Sequence, residues 1–369
     1  MERICNRCVM DTTASNIVFD DNGICNFCKD YEKKASSINH EDYDLNELIN
    51  RIKQDGKNKK YDCIVGVSGG VDSSYVLLKV KEFGLRPLAV HLDNGWNSDL
   101  STQNIANLVE KLDVDLYTHV IDWEENKDLQ KSFFKANVVD IELLMDNAMQ
   151  AINYMQAKKH GIKYILSGCN TSTEGIDMPV EWNHYKHDAK NIRAIQKKFG
   201  HKKIKTHPLI STFGYIKYTY INKIKWIPFL DYIEYDKEKA LKQLETKIGY
   251  IRYPYKHYES VFTRFYQGYI LPSKFNIDKR KVHFSSLIMS NQMSREDALQ
   301  LLKESPYPSD DLLKTDKEFV MKKLDFKEDE FEKYIKTPGI NHSEYASEEK
   351  MLSYMSRCLN LYKRICRKL

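Results

Sequence analysis

The chain has 369 residues, 42% of them hydrophobic and 30% charged, with a formal net charge of +5. That length accommodates two or three domains with full hydrophobic cores, and the composition is that of a soluble globular protein. No run of about 18 apolar residues occurs, and the opening MERICNRC has no apolar segment; a membrane span and a signal peptide are excluded and a cytoplasmic setting is expected. In that setting the eight cysteines call for a use other than structural disulfides. The clustered positives of KKFGHKKIK (197–205) and KRICRKL (363–369) read as solvated faces, so nucleic acid is not the expected partner. Tyrosine is abundant, at 24 residues against 15 Phe and 4 Trp. Its ring with a polar tip suits polar ligand pockets and half-buried surfaces alike.

In chain order, the first feature is a pair of C-x-x-C steps, Cys5 and Cys8, then Cys25 and Cys28. Two such turns bring four thiolates to one tetrahedral point, and this spacing is a zinc signature. With four sulfur ligands the zinc is expected to be structural, and the segment TASNIVFDDNGIC between the pairs reads as a short hairpin. A module this small has little core of its own, so zinc would supply folding free energy of order 10 kcal/mol. Residues 1–40 are therefore expected to form a four-cysteine zinc-knuckle module.

Next, Leu45, Leu48, Ile49 and Ile52 give EDYDLNELINRIKQDG a helical apolar stripe. YDCIVGV is a strand, broken by SGGVDSSY, and the helix that follows ends at Gly84. RPLAVHLDNGW and LYTHVID are expected strands around the helix STQNIANLVEKLDVD. A long helix over VVDIELLMDNAMQAINYMQAKKHG leads to a fourth strand, IKYILSG, and to the loop CNTSTEGIDMP. The alternation predicts an α/β fold with a doubly wound parallel sheet, whose ligands lie at the carboxyl ends of the strands. Three polar loops fall there, at 68–74, 91–95 and 168–174.

A glycine turn entering a helix binds phosphate through its backbone N–H groups, helped by the helix dipole. SGGVDSS offers such a turn without the lysine of a common P-loop. Asp72 would repel phosphate unless it held Mg2+, and its plain alternative is a helix N-cap.

SGGVDSS resembles the S-G-G-x-D-S signature of the PP-loop ATP pyrophosphatases, the adenine nucleotide alpha hydrolase-like fold that includes NAD synthetase, the GMP and asparagine synthetases and several tRNA thiolases. The resemblance implies cleavage of ATP between its α- and β-phosphates, with AMP passed to a substrate oxygen. Residue by residue, it implies pyrophosphate contacts at Ser68, Gly69, Gly70, Ser73 and Ser74, and Mg2+ on Asp72 and Glu174. Gly168 and Asn170 would line the nucleotide pocket, and His91 and Asp93 would meet the adenosine. WIPFLDYIEYDKEKALKQL resembles the last strand and helix of such domains, so the domain is expected over residues 41–250, with an insert at about 178–225.

Taken with YPYKHYESVFTRFYQGYILPSKFNIDKRKVHFSSLI, the zinc pattern and the loop are similar to the N-acetyl sugar amidotransferases, the WbpG/PseA-like enzymes of bacterial surface-glycan synthesis. This resemblance implies an ATP-dependent replacement of an acetamido oxygen by ammonia, giving an acetamidino sugar of the lipopolysaccharide O-antigen or nonulosonic acid (pseudaminic, legionaminic) type. Residues 251–369 would be a mainly helical substrate-binding region. There the expected catalytic and substrate residues are Lys256, His257 and Arg264, beside core-facing Tyr255, Tyr258, Phe262 and Phe265. No glutaminase signature is present, so ammonia is expected from a separate glutaminase subunit, with a cyclase-like subunit as a further partner. Two other readings remain open: a tRNA-modifying thiolase using Cys169, and a nucleotide-binding module without catalysis. Cys63 reads as an inert buried thiol, and Cys358 and Cys366 lack metal-type spacing.

Overall fold

The structure, a computed structural model, describes residues 3–38, 44–253, 258–349 and 351. The chain opens with the four cysteines and α1 (Asn26–Ser37). The hairpin expected between the pairs is reduced to one isolated antiparallel bridge, Phe19 with Cys25, and a second bridge, Ile4 with Asp11, closes the turn around Cys5 and Cys8. α2 (Leu45–Gly56) follows, started by Asp44, whose carboxylate accepts from the Asn46 and Glu47 N–H groups at 2.7 and 3.1 Å.

The alternating part then runs β1 (Cys63–Gly66), α3 (Val71–Glu82), β2 (Pro87–Asp93), α4 (Asp99–Leu112), β3 (Leu116–Val120), α5 (Trp123–Ala136), α6 (Leu143–Lys159) and β4 (Tyr164–Ser167). A short α7 (Thr171–Glu174) leads into the insert, which holds α8 (Ala189–Phe199) and α9 (Thr212–Ile216), before β5 (Lys225–Pro228) and α10 (Lys237–Ile248). α5 is absent from the sequence expectation. The helix expected from Val138 begins only at Leu143, after a turn in which the Asp140 N–H bonds to His342 Nε2 at 3.2 Å.

All the strand pairs are parallel, in the order β3-β2-β1-β4-β5. Strand residues alternate between two cores. Cys63, Val65, Ala89 and Leu166 face a layer made by α2, α3, α4 and α10. Ile64, Leu88, Val90 and Ile165 face α6 on the other side. That period of two, buried on both faces, produces the apolar runs seen in the sequence. The chain winds outward from β1 to β3, then returns to the far side of β1 for β4. β1 and β4 therefore flank the point where strand order reverses, and their carboxyl ends open a crevice.

The C-terminal region is helical: α11 (Val261–Phe265), α12 (Leu271–Phe275), α13 (Arg280–Met289), α14 (Arg295–Lys303), α15 (Asp310–Lys323) and α16 (Glu328–Lys336). A π-helical turn, Tyr266–Ile270, joins α11 to α12. All of these helices but α14 share a third core with the zinc-knuckle cysteines, Phe27, Tyr31 and the inner face of α5. The first and last parts of the chain thus pack as one mass beside the sheet. No helix among the described residues is long and apolar enough to cross a membrane.

Candidate active site

Cys5, Cys8, Cys25 and Cys28 are fully buried, with all four sulfurs within 4.8 Å of one another. The Cys5–Cys28, Cys8–Cys25 and Cys25–Cys28 sulfurs lie 3.9, 3.7 and 3.7 Å apart. A tetrahedron with zinc–sulfur bonds of about 2.3 Å has edges of about 3.8 Å, so the sulfurs are placed to hold zinc. Backbone N–H groups of Arg7, Met10 and Cys25 approach these sulfurs at 3.3–3.4 Å, as thiolate ligands require. The thiols perturb one another in opposite senses: contact with Cys25 pulls Cys5 down and pushes Cys28 up. Four such groups ionise together only around a cation.

The module is clamped from outside. Arg295 donates to the carbonyls of Cys8 and Cys5 at 3.1 and 2.8 Å, and Ser285 Oγ accepts from the Val9 N–H at 3.2 Å. The next residue, Ser286, accepts from the Ile176 N–H at 3.1 Å, just beyond α7. α13 therefore touches both the zinc knuckle and the loop after β4. On that loop a Cβ at Gly175 would lie 2.4 Å from the ring of Tyr31 of α1, which explains the glycine.

The loop after β1 enters α3 at Gly70, which brings no side-chain cap, so the first-turn N–H groups have no such acceptor. Asp72 is the second residue of α3, not its cap, and accepts a hydrogen bond from the Tyr235 hydroxyl. Gly69 adopts φ +79°, and a Cβ there would meet Ser101 Oγ at 2.7 Å. Ser68 Oγ and Ser73 Oγ lie 3.4 Å apart across the turn, while Ser74 is buried behind it. The carbonyl of Gly69 accepts from the hydroxyls of Tyr250 and Tyr253, both at 2.9 Å, and that of Ser68 from Ser101 Oγ at 2.9 Å.

Across the crevice, Gly168 meets this loop: its Cβ would stand 2.9 Å from the Asp72 backbone carbon and the Ser73 nitrogen. Asn170 caps α7 by accepting from the Thr173 N–H at 2.8 Å and donates to the Gly168 carbonyl at 3.1 Å. Its amide shapes the loop. Asp231, in the short turn after β5, holds the Thr171 N–H at 2.7 Å, and burial raises its pKa. Asp72 and Glu174 act on the same neighbours: after burial, both raise the pKa of Tyr235, and both contribute to pushing Cys169 up to about 11. Cys169 is exposed at the surface, but it sits among these carboxylates as a neutral thiol. Two carboxylates beside an uncapped helix N-terminus suit Mg2+, which is commonly held by one or two carboxylates plus substrate phosphates.

After β2, His91 Nδ1 donates to the Val67 carbonyl at 2.9 Å and Nε2 accepts from Asn97 at 3.0 Å. Asp93 accepts from the Gly95 N–H at 2.9 Å. Both residues thus brace the loop beside the crevice. The segment at 259–261 runs alongside residues 96–98, with Ser98 and Val261 N–H groups bonded to the Glu259 and Trp96 carbonyls at 3.0 Å. The C-terminal region therefore starts at the site's edge.

Arg264 differs from its expectation as a substrate cation. Its Nε and Nη2 bind both oxygens of Asp316 at 2.7 and 2.8 Å, and its guanidinium stacks 4.3 Å from the Tyr258 ring. It serves as a buried tie between α11 and α15. Lys256 and His257, with Tyr255, Cys358 and Cys366, lie outside the described residues. Cys63 is fully buried in β1, and burial pushes its thiol up. Ser101, Asp231, Tyr235, Tyr250 and Tyr253 were not expected at the site, and the abundance of tyrosine is the one general signal that pointed towards them.

Residues 259–359 match the family model of the LPS biosynthesis protein WbpG-like, C-terminal domain. No curated protein matches the chain. Among solved structures, NMN synthetase from Francisella tularensis is 18% identical over 57% of this chain and 93% of its own, with a TM-score of 0.29. The NH3-dependent NAD synthetase from Campylobacter jejuni subsp. jejuni NCTC 11168, in complex with the nitrate ion, is 15% identical over 61% and 89%, also at 0.29. The parallel strand order β3-β2-β1-β4-β5 defines the fold by itself.

Proposed function

For a chain with a WbpG-like C-terminal domain beside a glycine turn of pyrophosphate-binding type, we propose an ATP-dependent, AMP-forming amidotransferase acting on an N-acetyl sugar. The observation that carries this reading is the meeting of two loops at Gly168. One ends in an uncapped helix N-terminus that carries Asp72, the other runs into α7, which ends at Glu174, and both carboxylates act on Tyr235 and Cys169. A helix N-terminus attracts phosphate and two carboxylates repel it; Mg2+ on the carboxylates reconciles them.

An amide oxygen is a poor leaving group, so ammonia does not displace it directly. In the proposed first step the acetamido oxygen attacks the α-phosphorus of ATP, and the bond to the β-phosphate oxygen breaks. The β1 loop receives the pyrophosphate through the Gly69 to Ser74 backbone and the Ser68 and Ser73 hydroxyls. In the second step ammonia adds to the imidate carbon, AMP leaves with the former amide oxygen, and loss of a proton gives the acetamidino group. Preorganised donors facing the departing charge are the main source of acceleration in such a site. Ammonia would come from a separate glutaminase subunit, with a cyclase-like subunit as a further proposed partner.

The test is pyrophosphate release from Mg-ATP with ammonium, offered nucleotide-linked N-acetyl sugars, free nine-carbon N-acetyl acids, or bulk tRNA. Release with a sugar, and a product in which oxygen is replaced by NH, is the expected result. Release with tRNA instead would overturn the reading in favour of base modification.

A further inference from the structure

We infer that Tyr250 and Tyr253 are positioning residues that hold the β1 loop in its phosphate-receiving form and tie it to the start of the C-terminal region. The inference rests on the reading of that loop as the pyrophosphate site. Both hydroxyls donate to one acceptor, the Gly69 carbonyl, at 2.9 Å each, and Ser101 Oγ donates to the preceding carbonyl, of Ser68, at 2.9 Å. In a trans peptide the N–H lies opposite the carbonyl. Fixing the Ser68 and Gly69 carbonyls on the hydroxyl side therefore turns the Gly69 and Gly70 N–H groups the other way. Successive N–H groups disposed like this form an anion-binding concavity. A carbonyl that accepts two hydrogen bonds also polarises its own peptide, which makes the Gly70 N–H, here only 3.4 Å from Ser68 Oγ on the same turn, a stronger donor.

The tyrosines stand on a strap that is itself fastened. Asn104 of α4, fully buried, donates to the Ile251 carbonyl at 2.9 Å and accepts the Ile251 N–H at 2.8 Å. Asn107 donates to the Gly249 carbonyl at 3.0 Å, and Gly249 closes α10 at φ +67°. Ser101, Asn104 and Asn107 recur at helical spacing, so one face of α4 carries the loop and the strap together. Past Tyr253 the chain leads to residues 259–261, which run beside residues 96–98. Seating of the C-terminal region and orientation of the loop thus share one short stretch of backbone.

The test uses the full chain with zinc bound and titrates Mg-pyrophosphate and AMP separately by calorimetry. Variants are Tyr250→Phe, Tyr253→Phe and the double, which keep the rings and remove the hydroxyls. Wild type is expected to bind both ligands. Each variant should weaken pyrophosphate about fivefold and the double about 25-fold, with AMP affinity unchanged. Unchanged pyrophosphate affinity in the double variant overturns the inference and leaves the reading of the loop standing. An equal loss of both ligands marks general damage and also overturns it. Failure of wild type to bind pyrophosphate removes the reading of the loop and the inference with it. If the double variant does not fold, the half-buried Tyr253→Phe alone decides by the same comparison.

Discussion

The strand-end loops and the C-terminal helices use polar side chains in opposite ways. At the ends of β1, β2 and β4, side chains bond mainly to backbone: tyrosine and serine hydroxyls to the loop carbonyls, Asn170, Asp231 and Asp93 to N–H groups. In the C-terminal helices charged groups pair with one another, as in Arg264 with Asp316, or reach the zinc module, as in Lys281 with Asp11 and Arg295 with the Cys5 carbonyl. The first arrangement fixes a loop around the start of α3, where Asp72 is held by the Tyr235 hydroxyl. The second fastens helices and a metal knuckle into one core. The difference teaches where to look for chemistry: a charged residue held by both oxygens of an opposite, buried charge is architecture.

The sharpest way to break the comparison is to remove the metal expected at the four sulfurs. Chelation should cost the knuckle folding free energy of order 10 kcal/mol and loosen its contacts with α13 and α14. Metal content by atomic emission and thermal melts with and without chelator test this; a melt unaffected by chelator would contradict it. At the loops, Asp72→Ala should lower pyrophosphate release about a thousandfold, since it removes a metal-binding carboxylate from the departing charge. Its circular dichroism should match wild type, with stability lowered by no more than about 1–3 kcal/mol as the Tyr235 hydroxyl loses its acceptor.

Arg264→Ala probes the other half. It leaves Asp316 buried without its partner, at about 3–5 kcal/mol of stability. Denaturant titration should show that loss, while pyrophosphate release per folded molecule persists. Lost turnover with unchanged stability would restore Arg264 to the substrate role its sequence context suggested.

A smaller effect is expected with pH. Burial depresses His187 and His207 to about 4 and His342 to about 3, below the usual 6.5. A group lowered in the folded state binds its proton more readily when unfolded. The stability these histidines contribute is therefore complete above about pH 6.5 and is lost as pH falls towards 4 and, for His342, towards 3. Melting temperatures between pH 7.5 and 4 should fall through that window, and His207→Gln should flatten the slope. Smallest of all, Cys169→Ser should change pyrophosphate release by less than about twofold, because the residue sits as a neutral thiol and sulfur transfer needs the thiolate. Loss of turnover there would favour the thiolase reading.

What was legible in the sequence had local causes. The four cysteines lie in two short steps, each of which turns its own pair inward. The strands β1, β2 and β4 are apolar runs because helices bury both faces of the sheet, and the glycine turn follows β1 directly. α5 is not legible in the sequence, although Asp122 caps it and Asn137 closes it at φ 60°, since its charge-rich stretch separates two more apolar segments. The tyrosines on Gly69 lie more than 180 positions away in sequence, and Asp316 lies 52 from Arg264. No spacing rule announces such partners. The chain's third core, which joins knuckle, α5 and C-terminal helices, is hidden for the same reason.

The central claim is that ATP is cleaved at its α-phosphorus by an acetamido oxygen. An N-acetyl sugar that triggers pyrophosphate release, labelled with 18O in its acetamido carbonyl, tests it directly. With Mg-ATP and ammonium, the account predicts the label in AMP, one atom per turnover, seen by mass spectrometry. Unlabelled AMP, or the label in inorganic phosphate, would contradict it.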